Sequence, residues 1–306
     1  MNSLLRLTAV SCFAFLSLFS SGTALAEDLK DKGFTSGPAH VVLGDNLASI
    51  DVPQGYVFAD KELAQKFLQS SGSTPEGALG IVFPAEALKE NSKEDDANSF
   101  YVISRFEDSG YVHDKDADKI NPDDILKSYK EGTTEHNESR KEMGLPPIFV
   151  GGWAEKPQYQ KDKHQVVWAL EVKDQDSNTA PVTGINYNTR ILGRKGVLSM
   201  NLVTSQEKFP ENKAKVMTLL NKTEFTKGNT YGEYVEGKDK ASGYGLTGLI
   251  LGGGAMAAAA KMGLLGGLWK WAIGLLIAGK KLIIVAVIGI GALFAKLFGK
   301  KDGGNK

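Results

Sequence analysis

The C-terminal part of the chain differs in composition from everything before it. From Leu246 to Phe298, Gly, Ala, Leu and Ile dominate, and the charged residues of that stretch are Lys261, Lys270, Lys280, Lys281 and Lys296. The most uniformly apolar part, Leu282 to Ala295, would be about 21 Å long as a helix. Lys296 can reach the headgroups, which extends the apolar part to Phe298. We therefore predict a membrane anchor with the apolar residues Leu282, Ile283, Ile284, Val285, Val287, Ile288, Leu293 and Phe294.

The number of spans is left open by this pattern. Residues 246–268 form a second apolar stretch, but it contains Lys261, and a lysine in mid-span costs roughly 2.5–3.5 kcal/mol. Small residues recur four positions apart, as in Gly248 with Gly252 and Gly263 with Gly267, and this spacing lets membrane helices approach closely. This four-residue spacing predicts self-association through small-residue helix faces. The alternative is that Gly and Ala are simply common in membrane helices.

The N-terminus has the pattern of a secretory signal peptide. Arg6 precedes an apolar run from Leu7 to Phe19, and Ala24-Leu25-Ala26 fits the small-x-small cleavage rule. An uncleaved first membrane helix is the alternative, but the run is short for a span. We predict cleavage after Ala26, a bacterial cytoplasmic (inner) membrane location, and a domain in the periplasm or at the cell exterior. The one cysteine, Cys12, lies inside the apolar run, so the mature chain has no disulfide or thiolate metal site.

Charge separates along the same boundaries. Residues 27–240 hold 27 basic and 35 acidic residues, a net charge of −8, whereas residues 241–306 hold eight lysines and Asp302, a net charge of +7. The basic tail favours a lipid bilayer with anionic headgroups. The acidic body argues against nucleic acid as a partner.

The middle of the chain predicts an α+β fold, with a largely antiparallel sheet and two to three helices, because strands and helices follow one another without regular βαβ alternation. We expect residues 27–240 to fold independently, as one region or as two lobes that meet near residue 145, with 241–306 as anchor and basic tail. Predicted helices are 60–69, capped by Asp60, 122–143, begun by Asn121-Pro122, and 208–220. Predicted strands are 41–43, 48–52, 79–83, 100–106, 110–113, 147–154, 164–172, 183–192, 196–204 and 231–235.

Three aspartates at alternate positions, Asp114, Asp116 and Asp118, resemble the opening of a calcium loop. The rest of that pattern is absent, since Lys119 replaces the turn glycine and Ile125 replaces the bidentate glutamate. The alternative is a solvated turn that leads into the helix at Asn121.

A second candidate site lies on the strand over 183–192. Alternation places Asn186, Asn188 and Arg190 on one face, where they could bind a polar or anionic ligand, with Arg190 as a fork donor. The alternative is an exposed sheet face with Arg190 paired to a carboxylate. Trp153, in Gly151-Gly152-Trp153-Ala154, is a further ligand-binding candidate. The chain has no nucleophile elbow. It also has no phosphate-binding glycine loop, and we expect no cofactor.

Several of these stretches together resemble a known family. The stretches 110–118 (Gly-Tyr-Val-His-Asp-Lys-Asp-Ala-Asp), 151–154 (Gly-Gly-Trp-Ala) and 186–196 (Asn-Tyr-Asn-Thr-Arg-Ile-Leu-Gly-Arg-Lys-Gly), with the glycine-rich tail, are similar to domain of unknown function 2167, a bacterial family of membrane-anchored proteins. The resemblance implies the same architecture and brings no activity, substrate or catalytic residue.

Two classes of function follow from these patterns. The first is a non-enzymatic envelope protein that binds an envelope protein partner or a ligand, and the lack of a catalytic motif favours it. The second is a membrane-tethered hydrolase or other enzyme that uses His113 or His164 with carboxylates. A closed pocket that joins a histidine, a carboxylate and Arg190 would favour the enzyme.

Overall fold

The computed structural model describes residues 33–71, 73–88, 100–142 and 144–252. The predicted signal peptide (1–26) and the predicted anchor residues between 282 and 298 lie outside the described residues. The strands are β1 (Phe34–Ser36), β2 (Ala39–Leu43), β3 (Ala48–Val52), β4 (Tyr56–Ala59), β5 (Ala78–Pro84), β6 (Tyr101–Glu107), β7 (Phe149–Gln160), β8 (Gln165–Lys173), β9 (Val182–Leu192), β10 (Val197–Ser205) and β11 (Thr223–Phe225). The helices are α1 (Lys61–Ser70), α2 (Pro122–Glu142), α3 (Phe209–Leu220) and α4 (Leu246–Ile250), with 3₁₀ turns at Ala85–Leu88, Ala117–Lys119, Lys161–Lys163 and Tyr231–Glu233.

Two antiparallel sheets organise these elements. The large sheet has eight strands in the order β1-β4-β5-β6-β10-β9-β8-β7, and the small sheet has three in the order β11-β3-β2. The predicted α+β class with a large antiparallel sheet is therefore confirmed. Strands from both sides of residue 145 pair in the large sheet, as β6 does with β10.

The large sheet carries two hydrophobic clusters on one face and one on the other. On one face, α1 packs over β4, β5 and β6, while α2 and α4 pack over β8 and the start of β10. On the other face, α3 and the small sheet cover the central strands. Both faces are covered, which is why the strands are apolar at most positions and do not alternate strictly with polar residues.

The predicted helix starts follow the capping chemistry. The Asp60 carboxylate accepts a hydrogen bond from the Leu63 N–H at 3.0 Å, and Asn121 Oδ1 accepts one from the Asp123 N–H at 3.0 Å. Each side chain satisfies a donor that the first helical turn leaves unpaired.

Two predicted strands have other structures. The segment 110–113 makes a single bridge, between Tyr111 and Ala241, and the segment 231–235 begins with a 3₁₀ turn. A capping box causes that turn, because the Glu233 carboxylate accepts from the N–H and the hydroxyl of Thr230 at 3.0 and 2.7 Å. The apolar side chains of both segments pack against each other at the end of the large sheet.

The folded domain continues past residue 240. Leu246, Leu249 and Ile250 of α4 are 0–1% exposed in the cluster beneath α2, and the Tyr129 hydroxyl donates to the Ile250 carbonyl. The composition of residues 246–250 predicts part of the anchor, but these residues belong to the core of this domain. Within the described ranges, no helix is both long and apolar enough to cross a bilayer.

Candidate functional site

The row Asn186, Asn188 and Arg190 lies on one face of β9, but helices cover that face. The three residues are 1%, 0% and 6% exposed. The Arg190 guanidinium lies over the Trp168 ring, 4.9 Å from its centroid, and its Nη1 donates to Asn201 Oδ1 at 2.7 Å. Asn201 Nδ2 in turn donates to Asn188 Oδ1 at 2.8 Å, and Asn188 Nδ2 donates to the Asn186 carbonyl at 3.0 Å.

The alternative of an exposed sheet face is wrong, because the row is buried; binding of a ligand by this row stays a prediction. The amides and the guanidinium hydrogen bond to one another between two apolar clusters, and burial lowers the pKa of Arg190. Alternation in the sequence shows which residues share a face. Alternation does not show whether that face is covered, because α2 and α4 are distant from β9 in the sequence.

Trp153 also has a structural role. Its Nε1 donates to the Pro122 carbonyl at 3.1 Å, and its ring meets Tyr129 edge-on, with centroids 6.0 Å apart. These contacts hold the first turns of α2 against β7. The Gly151-Gly152 pair precedes it at a bulge, where a Cβ on Gly151 would lie 2.9 Å from Lys173 Cε and 3.1 Å from a Glu171 carboxylate oxygen.

The aspartate cluster has protein partners of its own. The Asp114 carboxylate accepts from the Tyr159 hydroxyl at 2.7 Å, and Asp116 accepts from the N–H groups of Leu246 and Thr247 at 2.9 and 3.1 Å. Asp118 is exposed. Among the residues that the structure describes, no group of three His, Cys, Asp or Glu side chains could hold a metal ion. The structure therefore does not assemble the predicted metal loop, and two of its carboxylates bond to other parts of the fold.

Six aromatic side chains meet at the end of the large sheet where β6 and β7 end and β8 begins. They form what we call the tyrosine–histidine cluster: Tyr111, His113, Tyr159, His164, Tyr231 and Tyr234. The Tyr111 ring stacks on Tyr234 and on Tyr231, with centroids 3.9 and 4.4 Å apart. His113 meets the edges of this stack, 5.0 Å from Tyr111 and 5.8 Å from Tyr234. Tyr231 is buried and the other five are partly exposed.

The inner part of the cluster is a chain of polar contacts. The His164 ring lies 4.4 Å from the Tyr231 ring, and its Nδ1 is 3.4 Å from the Tyr159 hydroxyl, which donates to Asp114. His164 has left-handed backbone angles (φ 47°, ψ 49°) in the tight turn between β7 and β8. A non-glycine residue in that region is uncommon, and such residues concentrate at functional sites.

Three loops position the cluster, and local bonds fix each of them. The Tyr231 hydroxyl donates to the Val112 carbonyl at 3.1 Å, which joins two of the loops. Arg194 makes a two-point ion pair with Asp239 at 2.7 and 2.9 Å, which holds the loop after Tyr234 to the β9–β10 turn. The aromatic rings are therefore presented by a constrained surface rather than by free loop tips.

The hydroxyl groups of Tyr159 and Tyr231 donate hydrogen bonds within the cluster. Burial and then the bond to Asp114 raise the pKa of Tyr159 well above its ordinary value. Burial and then the contact with Tyr111 do the same for the pKa of Tyr231. A surface of neutral phenols, flat aromatic faces and two imidazoles combines apolar contact area with polar groups, the composition that enriches tyrosine at binding interfaces.

A separate surface cavity of about 280 Å³ lies between α2 and the β8–β9 turn. Its walls carry Lys130 and Glu131 from α2, Lys173 from β8 and Asp176 from the turn. Because both charges occur around it, its lining favours no one class of ligand.

The family described as "Protein of unknown function (DUF2167)" matches residues 35–291. The chain belongs to this family. The comparison with curated protein sequences gave no match. The solution structure of cyanobacterial PsbP (CyanoP) from Synechocystis is similar over 61% of this chain and 92% of that one, with 9% identity and a TM-score of 0.36. The Ran-binding protein Mog1p of Saccharomyces cerevisiae is similar over 62% of this chain and 95% of that one, with 11% identity and a TM-score of 0.30.

In this DUF2167 member, sequence reasoning found only part of the cluster. It selected His113, His164 and Asp114 as titratable residues, and it did not single out the four tyrosines. No short motif joins residues 111, 159, 231 and 234. The one available signal was that tyrosines recur next to predicted turns.

Proposed function

We propose that this protein is a non-enzymatic binding domain of the bacterial envelope that recognises a partner protein through the tyrosine–histidine cluster. We propose further that the sequence after residue 252 holds it at the outer side of the cytoplasmic membrane. The observation that carries the proposal is the stack of the partly exposed Tyr234 and Tyr111 on the buried Tyr231, which concentrates aromatic side chains at a constrained surface.

The energetics of such a surface support recognition of a protein. A few tyrosine or tryptophan side chains commonly supply most of the free energy of a protein interface. The loops here are fixed before binding, so little conformational entropy would be lost on association. Val235 is 40% exposed beside Tyr234 and adds apolar area at the rim.

The location rests on the two ends of the chain. The signal-peptide pattern supports export, and the apolar stretch 282–298 with its lysines supports anchoring. Residues 27–240 have a net charge of −8. Anionic lipid headgroups repel an acidic domain, which supports a domain whose surface remains accessible to a partner protein.

A second candidate, a membrane-tethered enzyme, has one observation in its favour. The Asp114–Tyr159–His164 chain places an imidazole, a phenol and a carboxylate in contact, as a general acid–base site requires. Arg190, the third group expected for such a pocket, bonds instead to Asn201 in the buried network. The binding function is therefore favoured.

The test is crosslinking of the full chain in intact cells, followed by purification and identification of what is bound. Tyr234→Ser should reduce recovery of a specific envelope protein by about tenfold or more, the loss typical of an interface hot spot. Gln54→Ser is the control, because Gln54 is exposed beside β4 at the opposite end of the sheet. Equal recovery with both variants, at unchanged thermal stability, would exclude the cluster as the binding surface.

A further inference from the structure

The segment 111–116 contacts two different parts of the fold. Its side chains Tyr111, His113 and Asp114 belong to the tyrosine–histidine cluster or bond to it. Its backbone and Asp116 hold the C-terminal segment 240–252. One short stretch therefore joins the proposed binding surface to the part of the chain that leads toward the predicted anchor.

The contacts with the C-terminal segment are specific. The Tyr111 N–H donates to the Lys240 carbonyl at 2.9 Å, and the Tyr111 carbonyl accepts from the Ser242 N–H at 2.8 Å. Asp116 then caps α4 with both carboxylate oxygens. A Cβ on Gly245 would lie 2.5 Å from the Asp116 carboxylate, so a side chain at that position would displace this carboxylate.

Other parts of the body secure the same segment. The Tyr244 hydroxyl donates to Glu107 Oε1 at 2.5 Å, and Tyr129 donates to the carbonyl at the end of α4. Leu246, Leu249 and Ile250 are buried beneath α2. The segment is thus docked by a backbone bridge, a helix cap and three apolar side chains.

We propose that segment 111–116 couples occupancy of the tyrosine–histidine cluster to docking of residues 240–252. This rests on the proposed binding function of the cluster. A partner that contacts Tyr111 and Asp114 further stabilises the arrangement, already present in the structure, in which Asp116 caps α4. Docking of α4 in turn favours the binding arrangement, because such coupling is reciprocal. Binding at the cluster is thereby transmitted to the segment that precedes the predicted anchor.

The test measures docking and binding separately in the full chain. Docking is read from hydrogen exchange of the Leu246 and Thr247 amides, which Asp116 protects. Asp116→Ala should speed their exchange roughly fivefold, the effect of losing a typical N-cap, and Asp116→Asn, which keeps one acceptor oxygen, should fall between. Asp118→Ala is the matched control, since Asp118 is exposed in the same loop and should leave exchange unchanged.

The reciprocal measurement needs no partner. Tyr159→Phe removes the bond to Asp114 and should also speed exchange at residues 246 and 247, whereas unchanged exchange there would overturn the coupling. Binding is read as crosslinked partner recovered in intact cells, which Asp116→Ala should lower and Asp118→Ala should not. If Asp116→Ala undocked α4 while recovery stayed at the wild-type level, the coupling would be overturned and the binding function would stand. If the wild-type chain recovered no partner, the binding function and the coupling that rests on it would both fail.

Discussion

A substitution at Leu246 tests where the folded domain ends. Its side chain is completely buried with Tyr129 and Trp168, although its sequence neighbours are those of the predicted anchor. Replacing a buried leucine by alanine removes favourable transfer free energy and leaves a cavity, at a cost of about 2–5 kcal/mol. The same change in a linker would alter the free energy of unfolding by less than about 0.5 kcal/mol.

The assay is urea unfolding of residues 33–252, with the fluorescence of Trp153 and Trp168 as the probe of unfolding. With a slope of about 2 kcal/mol per M, Leu246→Ala should lower the midpoint by roughly 1–2.5 M. Val235→Ala is the control, because Val235 is 40% exposed, and it should move the midpoint by less than about 0.3 M. An unchanged midpoint for Leu246→Ala would refute the assignment of α4 to the core.

A chain that ends at residue 240 extends this test. It lacks Leu246, Leu249 and Ile250 and leaves the cap residue Asp116 without its partners. We expect it to unfold at lower urea than the chain that ends at 252, or to lose its cooperative transition. Composition and charge alone had placed the end of the domain at 240, and equal midpoints for the two chains would restore that boundary.

Three other predictions concern the buried network around Arg190, the Arg194–Asp239 ion pair and the N-terminus. Arg190→Ala should cost about 2–5 kcal/mol in urea unfolding, because it removes the buried guanidinium that bonds to Asn201 Oδ1 and opens space beside Trp168; a cost near zero would contradict a structural network. The bond from Arg194 holds the pKa of Asp239 below its ordinary value, so the carboxylate stabilises the fold at neutral pH and loses this effect as the pH falls below about 4. The Tm difference between wild type and Asp239→Asn should be present at about pH 7 and should narrow as the pH falls below about 4, whereas a difference that does not change with pH would contradict this role of the ion pair. N-terminal sequencing of the membrane-bound protein should begin at Glu27, and an intact Met1 would rule out cleavage.

Local features of the fold could be predicted because local chemistry determines them. Asp60 and Asn121 cap the helices that they were predicted to cap, since a cap depends on residues within one turn. Asn186, Asn188 and Arg190 share one face because side chains alternate along a strand.

Features that depend on distant parts of the chain could not be predicted. Burial of Arg190 requires α2 and α4 to cover β9. Leu246 and Ile250 have the composition of a membrane segment, and only their contacts with Asp116 and Tyr129 show a docked helix. The tyrosine–histidine cluster assembles from three loops up to 123 positions apart, between Tyr111 and Tyr234, so no window of sequence contains it.

The most direct test of the binding function places a photo-reactive amino acid at position 234 of the full chain in intact cells, with position 54 as the control. Light should produce one adduct of discrete mass from position 234, with an envelope protein as the partner, and none from position 54. Adducts of equal yield from both positions, no adduct from 234, or an adduct of two copies of this chain alone would contradict recognition of a partner protein by the tyrosine–histidine cluster.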